Sequence, residues 1–320
     1  MAELKDKVQN ALDEARMLML GTEVLIGFDF RAIIEKGFEQ LPPLTQYLKL
    51  TSLGLMLVTL GLLLWPGAYH QRVERGEDTP RMHRFASRVM TIALLPFAAG
   101  VGLDLLMPFE KVLGPLAGVL AALAGVGVAL FFWYGLELAR RHPLQGKEAS
   151  EMNEGTPVQS KIKQVLTEAR VVLPGAQALL GFQLIAVLSE GFEKLPDSSK
   201  QLHLVSLVLL ALSTILLMTP AAYHRIVEQG EDSDHFHRLA SWLVLSAMVP
   251  LALGIGFDFY IVLDKVTKSS PLAMGVTALV LAFFFGCWFG YTSYARRTRS
   301  RAAAAQALRA ASATGIPRML

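Results

Sequence analysis

The chain has 320 residues, 53% of them hydrophobic and only 18% charged, with a mean hydropathy of +0.42. Soluble domains carry roughly 25% charged residues, so this composition excludes a soluble enzyme, a disordered scaffold and a secreted disulfide module. A net charge of +3 is too small to argue for a nucleic-acid partner, and the single cysteine, Cys287, has no second thiol with which to close a disulfide.

Apolar runs such as Leu53–Trp65, Leu116–Trp133 and Leu204–Met218 predict membrane helices. The opening MAELKDKVQNALDEARM is charged throughout, unlike a cleavable signal peptide, so the first span is expected to act as an uncleaved anchor. Four spans follow in order near 17–36, 47–69, 85–107 and 114–137. A polar linker occupies 142–160, four more spans lie near 171–190, 202–223, 239–262 and 270–294, and an Arg/Ala-rich tail runs from 295 to 320. The expected units are therefore a first membrane repeat (1–141), the linker, a second repeat (161–294) and the tail. That tail is expected to be a mobile or surface-lying helix drawn to anionic lipid.

The two sets are one unit written twice. Glu14-Ala15-Arg16 recurs as Glu168-Ala169-Arg170, and the same offset holds for about ninety residues. It carries Gly27-Phe28 onto Gly181-Phe182, and Pro66, Ala68, Tyr69 and His70 onto Pro220, Ala222, Tyr223 and His224. It carries Pro96 and Asp104 onto Pro250 and Asp258. Hydrophobic bias aligns leucines but not this order of His, Tyr, Pro, Gly and acids.

The first span holds Glu23, Asp29 and Arg31. A charge at the centre of a helix costs about 2.5–3.5 kcal/mol, against about 0.3–0.6 kcal/mol returned by each apolar residue. Its partner, Val171–Leu188, is free of charge and reads plainly as a span. With four spans per repeat, 22 of the 30 Lys and Arg residues fall on the side of the two termini, whereas three spans per repeat divide them evenly. The positive-inside rule thus selects eight transmembrane helices with both termini cytoplasmic. An even number makes the repeats parallel, so the expected fold is all-α: two four-helix bundles related by an approximate two-fold along the membrane normal, with a seam between them.

Within spans, ionisable residues are functional suspects. Glu23, Asp29, Arg31, Asp104 and Asp258 are the candidates for an ion path, with Arg31 expected to pair with Asp104. Repeat two replaces Glu23, Asp29 and Arg31 by Gln177, Gln183 and Ile185, which leaves Asp258 without that partner. Interhelical hydrogen bonding is the competing explanation. Pro96 and Pro250 free the carbonyls of Ile92 and Ser246, which either coordinate an ion or mark a simple kink.

The most distinctive motif is the junction of the second and third spans, Pro66–Ser87 and Pro220–Ser241. His70 and Glu74, like His224 and Glu228, are four apart and so share a helix face. His83-Arg84 and His237-Arg238 open the returning helix. The histidines and carboxylates are weak metal-ligand candidates. The alternative is a solvated turn with Tyr69 and Tyr223 as interface anchors. Glu14-Ala15-Arg16 and its copy read as interface anchors, a cytoplasmic gate or an inter-repeat ion pair. The aromatic runs Phe131–Tyr134 and Phe283–Phe289 are expected to face lipid.

The E-A-R entry, G-F first span, P-x-A-Y-H junction and H-R-x-A restart resemble an uncharacterised family of small four-helix bacterial membrane proteins, often labelled sodium:proton antiporters. The resemblance covers nearly all of both repeats. It implies a tandem fusion, a bacterial plasma-membrane location and pairing among single-unit relatives, which makes association of copies a partner to consider. Two functions compete: transport of a proton, cation or small solute along the seam, and a non-transporting regulatory or structural module whose His/Glu turns bind metal, lipid or protein. No nucleophile–base pair or cofactor motif points to an enzyme.

Overall fold

The computed structural model describes residues 4–131, 133, 158–226 and 233–313. These are helical apart from short turns, and no strand occurs among them. Eight long rods follow one another: α1 (Leu4–Ile34), α2 (Pro43–Tyr69), α3 (Pro80–Leu113), α4 (Pro115–Leu130), α5 (Val158–Ala186), α6 (Asp197–Ile226), α7 (Asp234–Thr267), and α8 (Ser270–Phe285), which continues into α9 (Thr292–Ala313). Wider π-turns extend α2 at His70–Glu74 and join α8 to α9 at Gly286–Tyr291.

Six segments are long and apolar enough to cross a membrane: Pro43–Glu74, Pro80–Leu113, Ser160–Ala186, Asp197–Ala221, Asp234–Thr267 and Ser270–Ala302. α1, whose apolar stretch is interrupted by Glu23, Asp29 and Arg31, is not among them, and α4 is an apolar helix of 16 described residues. The outward faces are apolar, as a bilayer requires. Leu116, Leu120 and Leu123 on α4 and Leu204, Val208 and Ile215 on α6 are all exposed.

Local chemistry sets the boundaries, and it does so at equivalent positions of the two repeats. Thr79 caps α3 by accepting from the Met82 amide at 3.1 Å, and Ser233 caps α7 by accepting from the Phe236 amide at 3.1 Å. α3 ends at Gly114 with φ +95°, and α7 ends at Lys268 with φ +51°. Glycine adopts that left-handed turn without penalty, whereas lysine must be held there by its surroundings.

α1 and α5 lie side by side and run the same way, because residues 154 apart meet. The rings of Phe28 and Phe182 are 4.6 Å apart, Arg31 Nη1 donates to the Ile185 carbonyl at 3.3 Å, and Lys36 pairs with Glu190 at 3.1 Å. Close approach is possible where side chains are missing: Gly27 receives the Phe182 ring and Gly191 receives the Ile34 carbonyl. Lys265 of α7 donates to the Ile33 and Ile34 carbonyls, both at 3.1 Å, and so satisfies acceptors that the end of α1 leaves open.

The second half also reaches across to the first at its other end. Gly61 leaves a notch on α2 that Phe283 and Phe284 fill, and Trp288 Nε1 donates to the Gly61 carbonyl at 2.9 Å. Phe284 and Trp288 are fully buried and stacked. The expectation that this aromatic run faces lipid is therefore corrected for Phe284 and Trp288, whose rings the notch encloses, while Phe283, Phe285 and Phe289 stay partly exposed.

The start of the Arg/Ala-rich tail is helical and continues α8 through the π-turn. Residues 314–320 of the tail and 142–157 of the linker lie outside the described residues. The described end of the linker, 158–160, already belongs to α5.

Candidate functional site

Helices 1, 2 and 3 of the first repeat meet at a buried ion triad. Lys49 on α2 places its ammonium 2.5 Å from Asp29 of α1 and 2.8 Å from Asp104 of α3. The Ser52 hydroxyl is shared between Asp104 Oδ1 at 2.5 Å and the Gly100 carbonyl at 3.0 Å. The equivalent positions of the second repeat hold Gln183, His203, Ser206 and Asp258. His203 Nδ1 lies 2.9 Å from Asp258 Oδ1 and its Nε2 lies 3.2 Å from the Gln183 carbonyl. Gln183 also donates to Asp258 and, at 2.7 Å, to Ser206, whose hydroxyl donates to the Gly254 carbonyl. Both neighbours of the imidazole are acceptors, so both bonds form together only when the ring carries two protons.

These networks correct the expected Arg31–Asp104 pair. Arg31 turns instead to Glu35, at 2.5 Å, and to Ile185. Asp104 takes Lys49, because α2 lies between α1 and α3 and its ammonium reaches both acids at once. Asp258 is not left without a partner, since His203 supplies one. Lys49, Ser52, His203 and Ser206 went unnoticed in the sequence. The signal was the same 154-residue offset, with a base at 49 and 203 and a serine at 52 and 206.

Glu23 is different. It is 0% exposed on α1, and neither carboxylate oxygen has a hydrogen-bond partner among the described residues. Its carboxylate lies in the space a side chain at Gly175 of α5 would occupy. Gln177, at the equivalent position, is exposed. Two small cavities lie along the seam, and each touches α1 one helical turn from Glu23 and not at Glu23 itself. One, about 40 Å³, is lined by Arg16, Met19, Gln71, Glu168 and apolar neighbours. The other, about 20 Å³, is lined by Gly27, Arg31, Phe182, Gln183, His203 and Asp258. Met19, Glu23 and Gly27 are spaced by four, so one face of α1 carries the first cavity, the acid and the second cavity in succession.

At the end of the bundle that carries α1's start, the turn after α2 is clasped to the second repeat. His70 is fully buried, with Nδ1 3.5 Å from Glu168 and Nε2 3.8 Å from Asp78. Gln71 donates to Glu168 at 2.8 Å and accepts from Ser241 at 2.6 Å. Gln164 donates to Asp78 at 2.9 Å, and Lys161 pairs with Glu77.

Glu74 does not join His70. The π-turn widens the helix there, so residues four apart no longer stack, and Glu74 pairs with Arg299 of α9 at 2.5 Å. Among the described residues no three His, Cys, Asp or Glu side chains converge as a metal set. His83 is half-buried, Arg84 and Arg238 are exposed, and His237 packs near Gly76 and Lys161. Tyr69 is buried and stacked on Phe85, and half-buried Tyr223 is stacked on Phe236. Glu228 and the side chain of His224 lie outside the described residues. α3 and α7 run on through Pro96 and Pro250, and the carbonyls drawn into the polar networks are those of Gly100 and Gly254.

Apolar rods outside and charge networks inside define the class: this is an all-helical, multi-pass membrane protein. The chain belongs to the Family of unknown function (DUF6328), whose model matches it twice, at residues 3–137 and 155–292, as a tandem duplication does. No curated protein and no solved structure matches the chain.

Proposed function

We propose that the chain crosses a bacterial plasma membrane eight times, as two parallel four-helix repeats with both termini cytoplasmic, and that the seam between α1 and α5 carries protons. The observation that carries this reading is Glu23, a buried carboxyl with no hydrogen-bond partner among the described residues, with a water-sized cavity one helical turn to either side. An unpaired buried carboxylate is costly, and the group relieves that cost by taking up a proton. A cavity needs roughly 10–15 Å³ to hold one water, so each of the two has room for water and neither for a solute. Protons fit such a path; sugars and amino acids do not.

In this mechanism a proton enters through the cavity beside Arg16 and Glu168 and is held on Glu23. It then passes to the cavity walled by His203 and Asp258, where the imidazole takes or gives it. The Lys49–Asp29–Asp104 triad lies off this route, and we assign it to holding the first three helices together. Equal placement of residues 154 apart supports parallel repeats, and the excess of Lys and Arg near the termini supports their cytoplasmic placement.

The test is proton flux into vesicles holding the purified protein, driven by a potassium diffusion potential and read with an internal pH dye. Glu23→Gln is expected to reduce flux to that of empty vesicles. Wild-type vesicles no leakier than empty ones, or full flux in Glu23→Gln, would refute the reading and favour the non-transporting module. A sodium gradient in place of the potential tests the exchange that the family resemblance implies.

A further inference from the structure

The first three turns of α3 carry Arg81, Arg84 and Arg88, spaced by three and four and therefore on one face. Cations at a helix N-terminus oppose the macrodipole, and like charges four apart repel. No acidic residue lies in that first turn, and none of the three arginines pairs with a carboxylate among the described residues. All three are exposed. They line an open cleft of about 710 Å³ between α3 and the α8–α9 rod, together with Arg299, Tyr291 and Tyr294. Arg299 is already matched by Glu74, so the cleft presents three uncompensated positive charges. Phe85 and Tyr291 stack with their planes 7° apart.

We propose that this cleft binds the phosphate headgroup of an anionic phospholipid in the leaflet it faces. Three guanidinium groups on one helix face suit a phosphodiester, which they can engage in paired hydrogen bonds. The apolar continuation decides between a lipid and a soluble phosphate. Ile92 and Leu95, 54% and 51% exposed, follow Arg88 within two turns of the same helix and give the acyl chains a surface to lie along. The site exists once per chain. In the second repeat Arg81 and Arg88 become His235 and Trp242, and Asp234 adds an acid to the first turn of α7. Nothing in this assignment depends on proton movement.

The experiment is lipid retention by the full chain in detergent, titrated with phosphatidylglycerol or phosphatidylcholine and read by native mass spectrometry. Wild type is expected to bind phosphatidylglycerol in clear preference. Each arginine removed is expected to weaken binding about five-fold, so that Arg81→Gln/Arg84→Gln/Arg88→Gln weakens it on the order of a hundred-fold. Arg297→Gln/Arg301→Gln, which removes charge from a neighbouring surface, is expected to leave binding within about two-fold of wild type. Should the triple variant fail to fold, Arg84→Gln alone decides by its five-fold loss. Equal affinity for the two lipids, or unchanged affinity in the arginine variants, would overturn the site. Displacement of the lipid by millimolar glycerol phosphate would overturn its assignment to a lipid.

Discussion

Replacing Lys49 by methionine removes the ammonium that buried Asp29 and partly buried Asp104 share while keeping nearly the same side-chain length. The Lys49 and Asp29 side chains are 6% and 3% exposed, so water cannot take over the lost interaction. Removing one partner of a buried ion pair costs about 3–5 kcal/mol. Here two carboxylates lose their cation together, and the expected loss lies at the upper end, about 5 kcal/mol. Methionine fills most of the vacated volume, which keeps any cavity contribution below about 1.5 kcal/mol. The assay is equilibrium unfolding in mixed detergent micelles followed by far-ultraviolet circular dichroism. A companion variant, Lys49→Met with Asp29→Asn and Asp104→Asn, removes the charges as well. Replacing a whole buried ion group by neutral residues is often neutral or stabilising, so this variant is expected within about 2 kcal/mol of wild type. A loss below about 1 kcal/mol in Lys49→Met, or no recovery in the triple variant, would refute the triad's part in stability.

Three further outcomes follow from the packing and the turns. Gly61→Leu puts a β-carbon 2.8 Å from the Phe284 ring and is expected to cost at least about 1–3 kcal/mol by overpacking, read in the same unfolding assay and as increased solvent quenching of Trp288 fluorescence. Thr79→Ala and Ser233→Ala each remove an N-cap and are expected to cost about 1 kcal/mol apiece, nearly additively because the two caps begin different helices. Lys36 bonds to Glu190 and holds its carboxyl below the usual carboxylate range. The pair's contribution is present above the ordinary glutamate pKa and is lost as pH falls through the depressed one. Lys36→Met is expected to return the Glu190 titration, followed by carbon-13 resonance, to the ordinary range.

The order of helices was legible because it depends on local signals. Apolar runs, Thr79 and Ser233 before returning helices, and Gly114 at a reversal all act within a few residues. The likeness of the two copies was legible directly, since one offset of 154 residues runs through both. The networks around Lys49 and His203 were harder to find because residue identity hides their likeness. Lys49 and His203 do not match as letters, although they do the same work as bases between helices 1 and 3. Glu74–Arg299 could not be found from spacing, since its partners lie 225 residues apart and the π-turn that aims Glu74 leaves no mark in the hydrophobic pattern. Glu23 was visible as a charge in a span. That it would have no partner depended on the bare backbone of Gly175 opposite it.

Because Glu23 is matched by exposed Gln177, the chain holds one interior acid of this kind instead of two. An assembly of two identical protomers would be obliged to place such a group on both sides of its axis, and the two negative charges would repel. Covalent linkage lifts that obligation, so each half can specialise while keeping the shape that lets it fit the other. The likeness of the halves lies in their backbone, and their division of labour in a handful of side chains.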